Sequence, residues 1–501
     1  MLYNSTQNNE KVVSSAQAIA QGISEEGGLF VPQSFPQFSK DDIKNMLSMT
    51  YQERAQAVFK CYLTDFTDDE IADCVNKAYT KEKFESENPA PIKTVEYKGN
   101  ELNILELWHG PTCAFKDMAL QILPHLLTKS LKKTADGTKA VILVATSGDT
   151  GKAALEGFKD VENTEIIVFY PENGVSAMQK HQMNTQQGDN VFVCAIKGNF
   201  DDAQTGVKTI FTDPSNSEVL HRNGMMFSSA NSINWGRLLP QIVYYVHAYC
   251  DMVNSGKVEL GEKINIVVPT GNFGNILAAY YACEMGIPVN KFICASNSNN
   301  VLTDFINTGV YDKNRDFYTT ISPSMDILVS SNLERLLYKM SGNDDKLVSS
   351  LMSKLKSEGA YEVPENVKSE IKNNFYGGYC DEESTKVTIK NLFDAQSYLC
   401  DTHTSVAVSV YDKYVEETGD KTPSVIASTA SPYKFSKSVL EAMSEDVLPE
   451  NEFDMVDMLY KLSNTAVPAP ISVLKGLKPR FDNVTEKDNM KNTVFEALGV
   501  K

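Results

Sequence analysis

The chain has 501 residues, a length that sets an expectation of about three domains and leaves room for a large buried core. With 42% apolar and 22% charged residues it has the composition of an ordinary globular protein. Its 47 Lys plus Arg against 65 Asp plus Glu leave a net charge of −18, which argues against broad contact with nucleic acid or a membrane surface, since both need a basic face.

The opening MLYNSTQNNEKVV carries neither the basic and apolar regions of a secretory signal nor the arginines of a transit peptide, so the expected location is the cytoplasm. The longest unbroken aliphatic stretch, about that of Ala140 to Ala145, falls far short of the ~20 residues of a membrane helix. Nine cysteines without a Cys-x-x-Cys and six histidines without a His-x-x-x-His provide no disulfide framework and no metal signature.

From about Glu10 to Tyr79, helix-forming stretches such as DDIKNMLSMTYQERAQAVFKCYL are broken by the turn-rich EEGGLFVPQSFPQF, which predicts a mainly helical region over residues 1–92. Beyond Pro89 and Pro91 the pattern changes to short apolar runs: VILVA (141–145), IIVFY (166–170), VFVCAI (191–196), MMFSS (225–229), INIVV (264–268), FICAS (292–296) and SVIAS (424–428). These runs lack strict alternation, as strands covered on both faces do, and the segments between them have a helical period. The predicted class is α/β, with two doubly wound open sheets across a cleft: a small unit over 126–235 and a large one from 93–125 and 236–501. A Lys- and Ser-rich stretch from about 340 to 390 reads as a helical insertion with a solvated face.

Lys116 stands directly before an apolar-periodic stretch in HGPTCAFKDMALQILPHLL, with Asp117 suited to the first turn of a helix. A lone lysine is ordinarily a surface residue, but Cys113, Ala114 and Phe115 form an apolar wall. Desolvation there moves an amine toward the neutral nucleophile that a Schiff base requires. Next, VILVATSGDTGKAALEGF runs from strand through Ser147, Gly148, Asp149 and Thr150 into a helix, an arrangement that offers backbone N–H groups to a phosphate or carboxylate. Thr146 and Ala153 stand where a Walker A loop needs a glycine and a hydroxyl, which leaves nucleotide hydrolysis a minor alternative, beside that of a plain strand-to-helix turn.

In SSANSINWGRLLPQ, Asn231, Ser232 and Asn234 precede a helix and read as caps or ligands, whereas Arg237 is a cation set against the helix dipole and so placed to meet an anion. A second cradle follows in INIVVPTGNFGNILAAYY, where Gly271, Asn272, Phe273, Gly274 and Asn275 link strand to helix. Phe273, at the place of a middle glycine, favours a single phosphate monoester over a dinucleotide. Late in the chain His403 reads as a capping or packing histidine, and Thr429 sits at a strand end in SVIASTASPYKFSKS.

Taken in order, EEGGLFVP, HGPTCAFKD, ATSGDTG, PTGNFGN, SPSMDILVSSNLERL and STASPYKFSKS resemble the motifs of the threonine synthases, members of the fold type II, tryptophan synthase β-like family of pyridoxal-phosphate enzymes, from about residue 5 to about 440. The resemblance implies pyridoxal 5'-phosphate held by Lys116, the catalytic residue, with the cofactor phosphate on the loop from Gly271 to Asn275. Thr429 would face the ring nitrogen and Asp149 the ring hydroxyl; Asp149 departs from the Asn of many fold type II relatives and matches the Asp-bearing threonine synthases. The implied reaction turns the small molecule O-phospho-L-homoserine and water into L-threonine and phosphate, the last step of threonine biosynthesis. A fold type II threonine or serine dehydratase and a non-catalytic binding protein are the alternatives. A second anion loop and Arg237 suggest that Ser147, Gly148, Thr150, Asn231, Ser232 and Arg237 hold the substrate phosphate. No nucleic-acid, membrane or metal partner is implied, and a monomer or weak homodimer is expected.

Overall fold

The computed structural model describes every residue except Asp136, Ser147, Gly174 and Lys501, with Asp201 described by its backbone alone. Local signals build the N-terminal region. Ser14, Ser39, Thr50 and Thr67 cap the helices Ser15–Gln21, Lys40–Met46, Tyr51–Tyr62 and Asp68–Ala78, and Gln17, Asp42, Glu53 and Glu70 return each bond as reciprocal capping boxes. Beside these helices lies an antiparallel sheet that the sequence reading did not anticipate, with β1 (Leu2–Ser5) between β2 (Asn8–Ser14) and β3 (Phe30–Pro32). Its strands escape a search for apolar runs because β2 buries Val13 alone. Buried Arg54 ties this region to the helix Trp235–Asn254, with Nη1 2.9 Å from Asp251 and 2.7 Å from His247 Nδ1.

The remaining strands are β4 (Ile92–Tyr97), β5 (Asn100–Glu106), β6 (Lys139–Ala145), β7 (Thr164–Pro171), β8 (Val191–Lys197), β9 (Met225–Ser228), β10 (Ile264–Pro269), β11 (Val289–Ser296), the short pair β12 (Val310–Asp312) and β13 (Ala360–Glu362), β14 (Phe375–Tyr379), β15 (Ser424–Ser428) and β16 (Val484–Glu486). All seven apolar runs are strands. The larger sheet has the order β14-β11-β10-β15-β5-β4 and is parallel except for β4, which runs antiparallel to β5. The smaller has the order β16-β8-β7-β6-β9 and is parallel throughout. Alternate residues of the smaller sheet enter different cores: Ile142, Val168 and Val193 join one cluster, Val141, Ile167 and Cys194 another. Burial on both faces is why these strands read as unbroken apolar runs.

Two expectations about the organisation need correction. The stretch from 340 to 390 holds the helices Asp345–Ser357 and Glu365–Asn374 but also supplies β14, the edge strand of the larger sheet, so it is more than a helical insertion. The C-terminal segment, assigned with 236–501 to the large unit, returns instead to the smaller sheet. There β16 pairs with β8, and Met490 and Val494 pack with Ala203 and Ile210. Its three-residue strand is too short to register as a run.

One glycine sets the site. A Cβ on Gly157 would lie 2.0 Å from the carbonyl oxygen of Leu120, so a side chain there would push the helix Asp149–Phe158 away from the helix Asp117–Leu120. The same two helices also meet at their starts, where Lys116 Nζ lies 3.7 Å from an Asp149 oxygen. Among the described residues, no helix is long and apolar enough to cross a membrane, and the nine cysteines are free thiols.

Candidate active site

Lys116 is positioned by two chain segments that meet only in the fold. Ala114 bridges Ala430, Phe115 donates its N–H to the Thr429 carbonyl at 2.8 Å, and Ser431 donates its N–H to the Cys113 carbonyl at 3.0 Å. Asp117 closes the turn by accepting the N–H and the hydroxyl of Thr112, both at 2.8 Å. Lys116 is 9% exposed, with Nζ 4.9 Å from the centre of the Phe115 ring. Burial lowers its amine to about 8, against the opposing pull of the Asp149 carboxylate 3.7 Å away. Thr429 is buried one residue beyond β15, next to the Lys116 turn through the Phe115 bond.

Asp149 is the carboxylate on which the site converges. Lys434 Nζ lies 2.7 Å from one oxygen, and Gln179 Nε2 donates to that oxygen at 3.2 Å. The other oxygen faces Lys116 and the Ser324 hydroxyl, the latter at 3.5 Å. Burial alone would raise this carboxyl, but Lys434 and Lys116 hold it well below the usual carboxylate range.

Ser324 was not among the expected site residues, although it lies in the SPSMDIL motif. Its hydroxyl is 3.3 Å from Lys116 Nζ, and its N–H donates to His403 Nε2 at 3.1 Å. That acceptor role places the ring proton on Nδ1, which is 2.6 Å from Asp401. His403 is buried, as a packing histidine would be, and in addition holds the loop that carries Ser324. Lys434 was also missed; it is fully buried and donates to the Thr112 carbonyl at 3.0 Å.

The loop from Gly271 to Asn275 lies against this loop. A Cβ on Gly271 would come within 2.5 Å of the Ser324 carbonyl oxygen, so the backbones meet there without a side chain. Phe273 takes the left-handed conformation, φ 62°, a strained setting for an aromatic residue, just before the helix Gly274–Glu284 begins. Asn275 accepts from the Tyr245 hydroxyl, while its buried Nδ2 has no partner among the described residues. Asn332 Nδ2 donates to the carbonyls of Asn272 at 3.1 Å and Ser232 at 3.2 Å, joining this cradle to the 231–237 segment.

The other anion loop differs from expectation. Thr146 Oγ1 accepts the N–H groups of Gly148 and Gly151 at 3.0 and 2.9 Å, taking up two donors that the loop was expected to offer an anion. Ser147 lies outside the described residues, and Thr150 is half-buried in the first helical turn. Asn231 is exposed, and the helix cap is Asn234, which accepts from the Gly236 N–H at 2.8 Å. Asn231 and Ser232 are therefore not caps. Arg237 is 3% exposed; Nη1 donates to the Ala230 carbonyl at 2.6 Å, and Nε has no partner among the described residues. Among the described residues no carboxylate pairs with it, and burial lowers it to about 10. Lys116, Asp149, Thr429 and the Gly271 loop thus come together, with Arg237 a buried, unpaired cation whose charge reaches Lys116.

Three family models match the chain in order: Threonine synthase N terminus over residues 2–79, Pyridoxal-phosphate dependent enzyme over 86–429, and Threonine synthase, C-terminal over 404–494. The human protein threonine synthase-like 1 is 40% identical over 89% of this chain, which spans 60% of that relative's length. The threonine synthase of Saccharomyces cerevisiae is 36% identical over 95% of this chain and 96% of its own. That of Pseudomonas aeruginosa is 38% identical over 88% and 90%. Among solved structures, the pyridoxal-phosphate-bound threonine synthase from Brucella melitensis matches with a TM-score of 0.87 at 34% identity, and the yeast threonine synthase with 0.89 at 32%, each covering 99% of both chains.

Proposed function

The chain belongs to the threonine synthase family of pyridoxal-phosphate-dependent enzymes, and from this premise we propose that it converts O-phospho-L-homoserine and water to L-threonine and phosphate. The observation that carries the reading is a buried, readily neutralised Lys116 together with Arg237, a buried guanidinium that no carboxylate among the described residues pairs with. An amine suits covalent cofactor chemistry, and an unpaired guanidinium suits a second anion that a dehydratase substrate lacks.

The residues fit pyridoxal phosphate. Gly271 lets its loop pack directly on the Ser324 loop, whose hydroxyl is 3.3 Å from Lys116 Nζ, and the buried Asn275 Nδ2 is a donor without a partner among the described residues. When bound, the cofactor supplies an electron sink for the carbon next to the substrate nitrogen. Lys116 holds it and, once released, moves protons at Nζ between neighbouring substrate carbons. The Gly271 to Asn275 loop and its helix N-terminus would bind the cofactor phosphate, Thr429 would offer a neutral hydroxyl to its ring nitrogen, and Asp149 would be the carboxylate toward its ring hydroxyl. Ser324 Oγ accepts a hydrogen bond from Lys116 Nζ at 3.3 Å and so holds the amine in place. Arg237, with Thr150, Asn231 and Ser232, seats the substrate phosphate; the Gly148 N–H, held by Thr146, takes no part. Burial of Lys116, Asp149 and Lys434 keeps stray water away from Nζ.

Free thiols throughout support a reducing compartment, the cytoplasm, and a monomer or weak homodimer is our reading of the assembly. The deciding assay follows L-threonine and inorganic phosphate together from phosphohomoserine. Equal yields of the two support the reading; phosphate with a keto acid in place of threonine, or no turnover, overturns it.

A further inference from the structure

Lys434 takes no part in the binding or proton transfers above, yet it is a fully buried lysine 2.7 Å from the carboxylate that faces Lys116. We propose that Lys434 is a positioning residue, the standing counter-ion of Asp149, which keeps that carboxylate charged and in place whether or not Lys116 carries a proton. The inference rests on the reading of Lys116 as the residue that gains and loses a proton during turnover.

Charge accounting within the site leads to this assignment. Asp149 is 6% exposed, and an ionised carboxylate at that depth requires a cation. If Lys116 were its sole partner, the pair would hold each other charged, and Lys116 could become neutral only by leaving a lone buried carboxylate behind. A second lysine removes that coupling. Lys434 contacts the oxygen that Gln179 also reaches, leaving the other oxygen toward Lys116 and Ser324. A further bond to the Thr112 carbonyl fixes its ammonium group at 3.0 Å.

The surrounding charges agree. Asp149 faces Lys434, Lys116, Gln179 and Ser324; Lys116 faces Asp149 and Ser324, with Arg237, Lys434 and Asp117 acting at longer range. Two positive neighbours, Lys434 and Arg237, oppose protonation of Lys116, and Asp149 favours it. Loss of Lys434 removes one opposing charge and leaves Asp149 to Lys116 alone. Both changes favour the protonated amine. Lys434 also links the two sheets, since Asp149 follows β6 of the smaller and Lys434 follows β15 of the larger. A clamp of that kind would act on stability and not on the titration of Lys116.

The test separates these roles. In the full chain freed of cofactor, the pH dependence of Lys116 acylation by a lysine-reactive ester is read on its peptide by mass spectrometry. The acid limb of kcat/KM is measured in parallel on the holoenzyme. Lys434→Met should move the Lys116 labelling midpoint upward by about one pH unit, so that labelling at about pH 7, below the midpoint, falls about tenfold. Lys434→Arg should stay within about twofold of the parent, and Lys434→Met combined with Asp149→Asn should return the midpoint toward it. A folded Lys434→Met with an unchanged midpoint overturns the proposal. If Lys434→Met does not fold, recovery of folding by adding Asp149→Asn supports the charge argument, and failure of both overturns it in favour of packing. Labelling requires no turnover, so a midpoint shift in a chain that makes no threonine would count against the proposed reaction and not against this assignment.

Discussion

The ring of His403 holds Ser324 in place: Nε2 accepts the Ser324 N–H at 3.1 Å, and the opposite nitrogen is anchored 2.6 Å from Asp401. His403→Phe keeps the ring volume and leaves that N–H without an acceptor, at a cost of about 1–3 kcal/mol. The Ser324 hydroxyl then loses its fixed distance to Lys116. We expect kcat to fall by roughly tenfold or more with cofactor content little changed, measured by steady-state kinetics and urea unfolding. Wild-type kcat in a destabilised variant would show that the Ser324 position does not matter to the reaction.

Lys116 is the expected attachment point of the cofactor. Borohydride reduction followed by peptide mapping should place a pyridoxyl group on the peptide containing Lys116. Lys116→Ala should retain cofactor non-covalently through the Gly271 to Asn275 loop and lose turnover. Label on any other lysine would refute the assignment.

Arg237 should act on substrate and not on cofactor. Hydrogen bonds to a charged group contribute about 1.5–3 kcal/mol, so Arg237→Ala should lower kcat/KM for phosphohomoserine by about 10- to 150-fold. Arg237→Lys should recover part of this, keeping charge but losing the planar fork. Titrations of cofactor retention and of inhibition by free phosphate decide the matter. Loss of cofactor with phosphate inhibition intact would mean that the two cradles are exchanged.

Thr429 lies beside the Lys116 turn, and in the proposed role its neutral hydroxyl would leave the ring nitrogen of the cofactor unprotonated. Thr429→Asp should favour its protonation, changing the visible spectrum of the holoenzyme and increasing side products relative to threonine. Identical spectra and product ratios would place Thr429 elsewhere.

Burial raises Asp117 from the ordinary 3.8 to about 6, despite the two bonds from Thr112. Between these values the folded chain binds more protons than the unfolded one, so the stability associated with protonated Asp117 is full below about 4 and is lost as pH rises through about 6. Asp117→Asn removes that titration. Urea unfolding across this interval should therefore show a shallower decline, or a steeper rise, for the variant than for the parent. Parallel curves would mean that Asp117 does not titrate there.

Much of this molecule is legible in one dimension. The seven apolar runs are strands because a parallel strand covered on both faces has no polar side to interrupt it, and the N-terminal helices begin where Ser and Thr capping boxes satisfy the first backbone donors. Lys116 and the Gly271 to Asn275 loop are visible too, since a lysine in an apolar wall and a strand-loop-helix cradle are local patterns. Only the tertiary structure decided which polar residues meet them. Ser324 lies 208 positions from Lys116, and Lys434 lies 322 from the carbonyl it holds, within motifs whose inward-facing side chains have no local signature. The same holds for the anion loop at Gly148, where a single threonine hydroxyl, Thr146, takes up donors that the backbone pattern alone leaves open to a ligand. A charge or hydrogen bond is specified by distance in space, and chain spacing reports that distance only within a helix turn or a strand pair.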